Sequence, residues 1–202
     1  MRGLLFKDII NLKQQAKIYL LIIAIWIAIS FANNDNSFFG GLIMIFSILV
    51  PISTIAYDEK AKWDRYALTM PVSRKDIVLS KYLLAFCCAA MGAVLSTVVS
   101  IIMSKDITES LLSSMMFMSL GISVASIVLP IIFKFGVEKG RMLMLAVFLA
   151  PTVIGMILSK LNINMTGEYT FEMLSNFSPL IALVVTAISI IISVKIYNSK
   201  EL

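Results

Sequence analysis

Apolar residues in this chain lie in long, nearly unbroken runs separated by polar stretches of very different character. Six runs stand out: Ile18–Ala32, Ser37–Ala56, Tyr82–Met103, Leu111–Phe133, Met142–Ser159 and Ser178–Val194. Each is long enough, or nearly so, to cross about 30 Å of hydrocarbon at about 1.5 Å per helical residue. The first is short, so its helix is expected to begin before Ile18, with the Lys17 stem lying along the bilayer and its charge at the interface. A water-soluble amphipathic helix would show a stripe, and a membrane barrel would alternate at every second position. Neither pattern occurs in these runs. Helices remain, because in lipid they satisfy every backbone polar group internally. The expected fold class is all-α: a polytopic membrane protein with six transmembrane helices.

The stretches between the runs carry patterns of their own. In residues 1–17, Leu5, Ile9 and Leu12, joined by Phe6 and Ile10, face away from Lys7, Asp8, Lys13 and Gln14. That spacing predicts an N-terminal amphipathic helix lying in the interface, ahead of a six-helix domain over 18–202. The loop 57–81 is longer than a connector needs. Within it Trp63, Tyr66, Ala67 and Met70 recur at helical spacing, while Glu59, Lys60, Lys62, Asp64 and Arg65 fill the other positions. A helix bearing this face is expected, stopped by Pro71, which disfavours helical geometry in the residue before it. Ser73 is placed to cap the next helix, and Asp76 three residues on completes a variant capping box. That helix runs from Arg74 through Lys81 into the third span. Its first turn carries Arg74 and Lys75, which the helix dipole disfavours, and this implies a partner outside the chain, acidic lipid or another protein. A second long connector covers 160–177, where Phe171, Leu174 and Phe177 share a face against Glu172 and predict a short surface or re-entrant helix.

Composition agrees with a lipid solvent. Of 202 residues 59% are hydrophobic and 14% charged, with mean hydropathy +0.95, whereas ordinary soluble domains are about a quarter charged. Charge then sets orientation. Of the 17 Lys and Arg, all but Lys105 and Lys160 lie before the first run, between the second and third, between the fourth and fifth, or after the sixth. The positive-inside rule therefore predicts that both termini and both basic loops are cytoplasmic. The first run is not expected to be a cleaved signal, because a long charged segment precedes it and 31–35 offers no small-residue cleavage site.

Missing residues narrow the chemistry. The chain has no His, which removes the commonest acid/base near neutral pH and the commonest zinc ligand. Ion-coupled carriers place ionisable groups near mid-bilayer, and none lies deep in any expected span. No GxxxxGK[ST] phosphate loop occurs. Catalytic residues, a metal and a nucleic-acid partner are not expected. Cys87 and Cys88 are adjacent and read as packing residues. Pro51, Pro130 and Pro151 can kink spans two, four and five. Ser96, Thr97 and Ser100, with Ser113, Ser119, Ser123 and Ser126, can join helices or line a path.

Physics alone leaves two readings of the loop 57–81: an interfacial helix on anionic lipid, or a docking helix whose Trp63/Tyr66/Met70 face enters a groove on a soluble partner. Mixed charges favour docking. Here the sequence resembles a family. Asp58-Glu59-Lys60, followed by Trp63-Asp64-Arg65-Tyr66-Ala67-Leu68-Thr69-Met70-Pro71-Val72-Ser73-Arg74-Lys75-Asp76 and the lead to Tyr82, is similar to the loop of ABC-2-type (type V) exporter permeases. Met70 stands where leucine is commoner. Six spans, cytoplasmic termini and an N-terminal amphipathic helix extend the resemblance over nearly the whole chain. It is nearest to small permeases of bacterial exporters for amphipathic peptides, of the phenol-soluble modulin and bacteriocin kind.

The resemblance implies a permease subunit of the bacterial plasma membrane, paired with a copy of itself or a sister permease. It implies a separate ATP-binding-cassette subunit carrying ATP and Mg, and no cofactor in this chain. Glu59 to Thr69 would be the coupling helix. Glu59, Lys62, Trp63, Tyr66 and Met70 would meet the ATPase, with Pro71-Val72-Ser73-Arg74 as the hinge into span three. The rival from another class is a membrane scaffold or self-protection protein that binds a membrane-active peptide without transporting it. Substrate-binding residues are not legible.

Overall fold

The computed structural model describes residues 2–33, 37–67, 69–70, 72–104, 107–142, 145, 149 and 168–199. Among the described residues the named helices are, in chain order, α1 (Arg2–Asn33), α2 (Ser37–Lys60), α3 (Trp63–Ala67), α4 (Arg74–Ser104), α5 (Ile107–Phe135) and α6 (Glu168–Asn198). A further helical segment covers 137–142. Among the described residues no strand occurs. Arg74–Ile102, Ser110–Phe135 and Phe177–Asn198 are each long and apolar enough to cross a membrane. The two arms of α1, Gly3–Lys13 and Gln15–Ser30, meet at 68° and together make a fourth candidate. Most of the fifth expected span, Met142–Ser159, lies outside the described residues, as do Pro151 and residues 160–167, while residues 168–177 of the connector form the start of α6 and no separate helix.

The surface of this bundle is apolar and much of its interior is not. Leu20, Leu21, Val94, Ile102, Leu183 and Ile191 are exposed, whereas Ser30, Ser47, Thr54, Ser100 and Ser193 are buried. That inversion suits a body solvated by lipid tails, where hydroxyls at helix contacts supply the attraction that hydrophobic burial cannot. The hydroxyls pair across helices. Ser114 on α5 donates to Ser96 on α4 at 3.2 Å, Ser119 on α5 to Ser178 on α6 at 2.8 Å, and Ser126 on α5 pairs with Thr186 on α6 at 3.0 Å. Tyr82 on α4 reaches Ser193 of α6 at 2.8 Å. Ser113 and Ser123 instead bond to carbonyls of their own helix. Cys87 is exposed, Cys88 is buried, and both are free thiols.

Two apolar clusters fix the end of the bundle that matters below. One joins Ile48 and Ile52 of α2 to Ala85 of α4, Ala125, Val128 and Ile132 of α5, and Val137. The other gathers Leu4 of α1, Ala67 of α3, Ile77, Val78 and Tyr82 of α4, Leu129 and Phe133 of α5, and Tyr197 of α6. The start of α1, the whole of α3 and the last turn of α6 therefore converge on the base of α4. Pro51 and Pro130 lie inside α2 and α5 without ending them, as membrane helices tolerate.

The first arm of α1 differs from expectation in one respect. Phe6, Ile9 and Ile10 face outward as the periodicity predicts, but Asp8 is fully buried. Asp8 turns inward with Leu4, one helical turn away, because it finds charged partners there.

Candidate coupling site

The helix expected over 59–69 is in two pieces. Helix α2 carries on through the start of the loop to Lys60. It closes with Ala61 donating to the Tyr57 carbonyl at 2.9 Å and Lys62 to the Glu59 carbonyl at 3.2 Å. Lys62 then takes φ of 50°, a left-handed conformation that commonly ends helices and that costs a side-chain-bearing residue about 1 kcal/mol. The chain turns there, and α3 restarts at Trp63 for five residues. Thr69 and Met70 donate back to the Tyr66 and Ala67 carbonyls at 3.1 and 3.2 Å. Pro71 lies outside the described residues.

The start of α4 has the expected geometry. The Asp76 amide donates to Ser73 Oγ at 3.1 Å, and the Ser73 amide to Asp76 Oδ2 at 3.4 Å, so the two residues cap each other's backbone. Arg74 has its partner within the chain, contrary to expectation. Its guanidinium donates to the carbonyls of Tyr197 and Asn198 at 3.2 and 2.7 Å, at the last turn of α6. The cation disfavoured at the start of one helix is favoured at the end of another.

Trp63 and Tyr66 do not share one exposed face. Trp63 is half-buried against the cluster at the base of α4, and Lys7 Nζ stands 4.6 Å from its ring centroid. Tyr66 is 63% exposed and Met70 49% exposed. Lys62 and Ser73 are exposed as well. Glu59 sits at the end of α2, and its carboxylate accepts the Val137 amide at 3.0 Å. It thereby caps the segment 137–142 after Gly136, whose φ is +82°.

A family model described as an ABC-2 family transporter protein matches residues 3–198. The chain belongs to the ABC-2 transporter family. It is a multi-pass membrane component of an ABC transporter, a permease that works with an ATP-binding subunit. No curated protein and no solved structure matches it.

Beneath the loop of this ABC-2 permease lies a cluster the sequence did not reveal. Lys81 of α4, almost fully buried, donates to both carboxylate oxygens of Asp8 on α1, at 2.8 and 2.9 Å. It also pairs with Asp58 Oδ2 on α2 at 2.7 Å. Lys7 of α1 takes the other Asp58 oxygen at 2.5 Å and lies 3.4 Å from Asp8. Two lysines and two aspartates thus form a compact neutral quartet among three helices, directly below Trp63. A separation of 73 residues hides Asp8 from Lys81 in the sequence. The one available signal was an aspartate and a lysine at the edges of apolar segments, which equally suits a solvated face.

Proposed function

We propose that this permease exports a hydrophobic or amphipathic substrate, a peptide, across the bacterial plasma membrane, driven by ATP hydrolysed on a separate subunit. Its six spans place both termini and both basic loops in the cytoplasm, as the distribution of lysine and arginine favours. Two permeases pair to make the path. The loop 57–81 is the coupling element, and the ATP-binding subunit closes on it when nucleotide binds.

One observation carries this reading. On α3 and the turn after it, the aromatic and thioether side chains of Tyr66 and Met70 project into the open, while Trp63 and Ala67 of the same helix are packed on the permease body. A short helix anchored on one side and apolar on the other presents two contacts to a groove on a partner. The inverted bundle surface, with hydroxyls inside, suits a substrate that meets the protein from lipid.

The test is purification of the tagged protein in mild detergent from its host, before and after replacing Tyr66 and Met70 with serine. The expected result is an ATP-binding subunit that co-purifies with the native chain and is lost from the double variant, whose thermal midpoint is unchanged. An ATP-binding subunit retained at full occupancy by the double variant overturns the docking assignment. Proteoliposomes of the complex should also move a fluorescent amphipathic helical peptide when ATP is added. Peptide bound but never moved favours the scaffold reading.

A further inference from the structure

Three charges taken out of water, with Lys7 half-buried beside them, are an expensive way to hold helices together. Asp8 and Lys81 are 1% and 3% exposed at the side chain, and Asp58 10%. Buried ion pairs generally stabilise no more than apolar residues of the same size would, so stability alone does not account for this quartet. What charges add over an apolar plug is direction. Lys81 makes three short contacts to carboxylates on two other helices, which fixes where α1 and α2 stand relative to α4. Asp58 is shared, one oxygen to each lysine, and it lies just ahead of the break at Lys62 where the loop leaves α2. Lys7 reaches from the same quartet up to the face of the Trp63 ring.

We infer that the Lys7–Asp8–Asp58–Lys81 quartet is a rigid joint through which displacement of α3 is passed to α1, α2 and α4 together, with Lys81 and Asp8 acting as positioning residues for transport. The inference rests on the proposed coupling role of the loop. Trp63 is the point of entry. Its Nε1 is buried and, among the described residues, lacks a hydrogen-bond partner. Packing and the Lys7 cation hold the ring. A push on α3 reaches the quartet through that packing and through Lys7, and the quartet moves as one body.

The experiment compares the native complex with two double variants of unchanged net charge. Asp8→Leu with Lys81→Met replaces the central pair by apolar residues and leaves Lys7 and Asp58 to each other. Asp8→Glu with Lys81→Arg, the exchanged protein, swaps both side chains for others of the same charge and leaves every opposite-charge contact of the quartet possible. Spin labels at Ile10→Cys on α1 and Lys75→Cys on α4, with Cys87 and Cys88 changed to serine, report the distance between those helices in nanodiscs. The native and exchanged proteins should give a narrow distance distribution, and the apolar variant a broad one, in the permease alone and with the ATP-binding subunit present. Peptide moved per ATP hydrolysed, with the fluorescent amphipathic peptide as probe, should fall about tenfold or more in the apolar variant and recover in the exchanged one.

An apolar variant as narrow and as active as the native protein overturns the joint. So does one that loses the subunit and its thermal midpoint together, which would make the quartet merely structural. If the native complex moves no peptide, the substrate assignment fails, while the label distributions still decide the joint.

Discussion

Gly136 shows how a single position ties two segments at the loop-bearing end of the bundle. Its φ of +82° belongs to the left-handed region, and a Cβ there would stand 2.8 Å from Glu59 Oε1. Either fact alone disfavours a side chain; both fall on the junction where Glu59 accepts the Val137 amide. We expect Gly136→Ala to destabilise the protein by about 1–2 kcal/mol, read as a lower thermal midpoint in detergent. Glu59→Gln, which keeps an acceptor for the amide, should cost less than half of that. Equal losses in the two variants would show that the charge of Glu59, and not the backbone at 136, governs the junction. The family resemblance implied a contact between Glu59 and the ATP-binding subunit. The inward partner of Glu59 is 78 residues away, beyond any spacing rule.

At the scale of elements, local devices were legible and long-range ones were not. The Ser73–Asp76 cap follows from two residue types three positions apart, and the structure forms it as expected. Expected helix ends were less reliable, because Lys62 stops α2 by adopting a left-handed backbone that its residue type does not advertise. Arg74 taught the opposite lesson. A cation in the first turn of a helix implies a partner, expected outside the chain, but for Arg74 the partner is the far end of α6. We expect Arg74→Ala to leave α4 intact, since Ser73 and Asp76 still cap it, while the last turn of α6 frays. Amide exchange should accelerate over 194–198 and stay unchanged over 76–80. The stability lost should be about 1.5–3 kcal/mol, the range for a hydrogen bond involving a charged group. Faster exchange in both segments would place Arg74 in the α4 cap instead.

For the whole molecule, the runs of apolar residues announced the helical class, since nothing but helices could bury them in lipid. Neither composition nor periodicity could announce which helices touch. Helix α6 packs on α5 through Ser178–Ser119 and Thr186–Ser126, contacts that look in the sequence like any other serines. The proposed orientation has its own test at this scale. In spheroplasts of cells expressing single-cysteine variants free of Cys87 and Cys88, Lys105→Cys should react with a membrane-impermeant maleimide. Lys60→Cys and Lys139→Cys should react only after the membrane is opened. Reaction of Lys60→Cys in intact spheroplasts would invert the topology and put the loop 57–81 out of reach of a cytoplasmic ATPase.

The quartet also bears on how the chain is made. Asp8 leaves the ribosome 73 residues ahead of Lys81 and 50 ahead of Asp58, so the first arm of α1 reaches the membrane surface with a carboxylate that has no buried partner yet. An unpaired charge keeps its water. The arm is therefore expected to stay at the interface, held by Phe6, Ile9 and Ile10, until α4 delivers its lysine. Docking of α1 is thus expected late in insertion, and a Lys81→Met chain should be cut sooner than the native one within its first arm when protease is added to inside-out membrane vesicles.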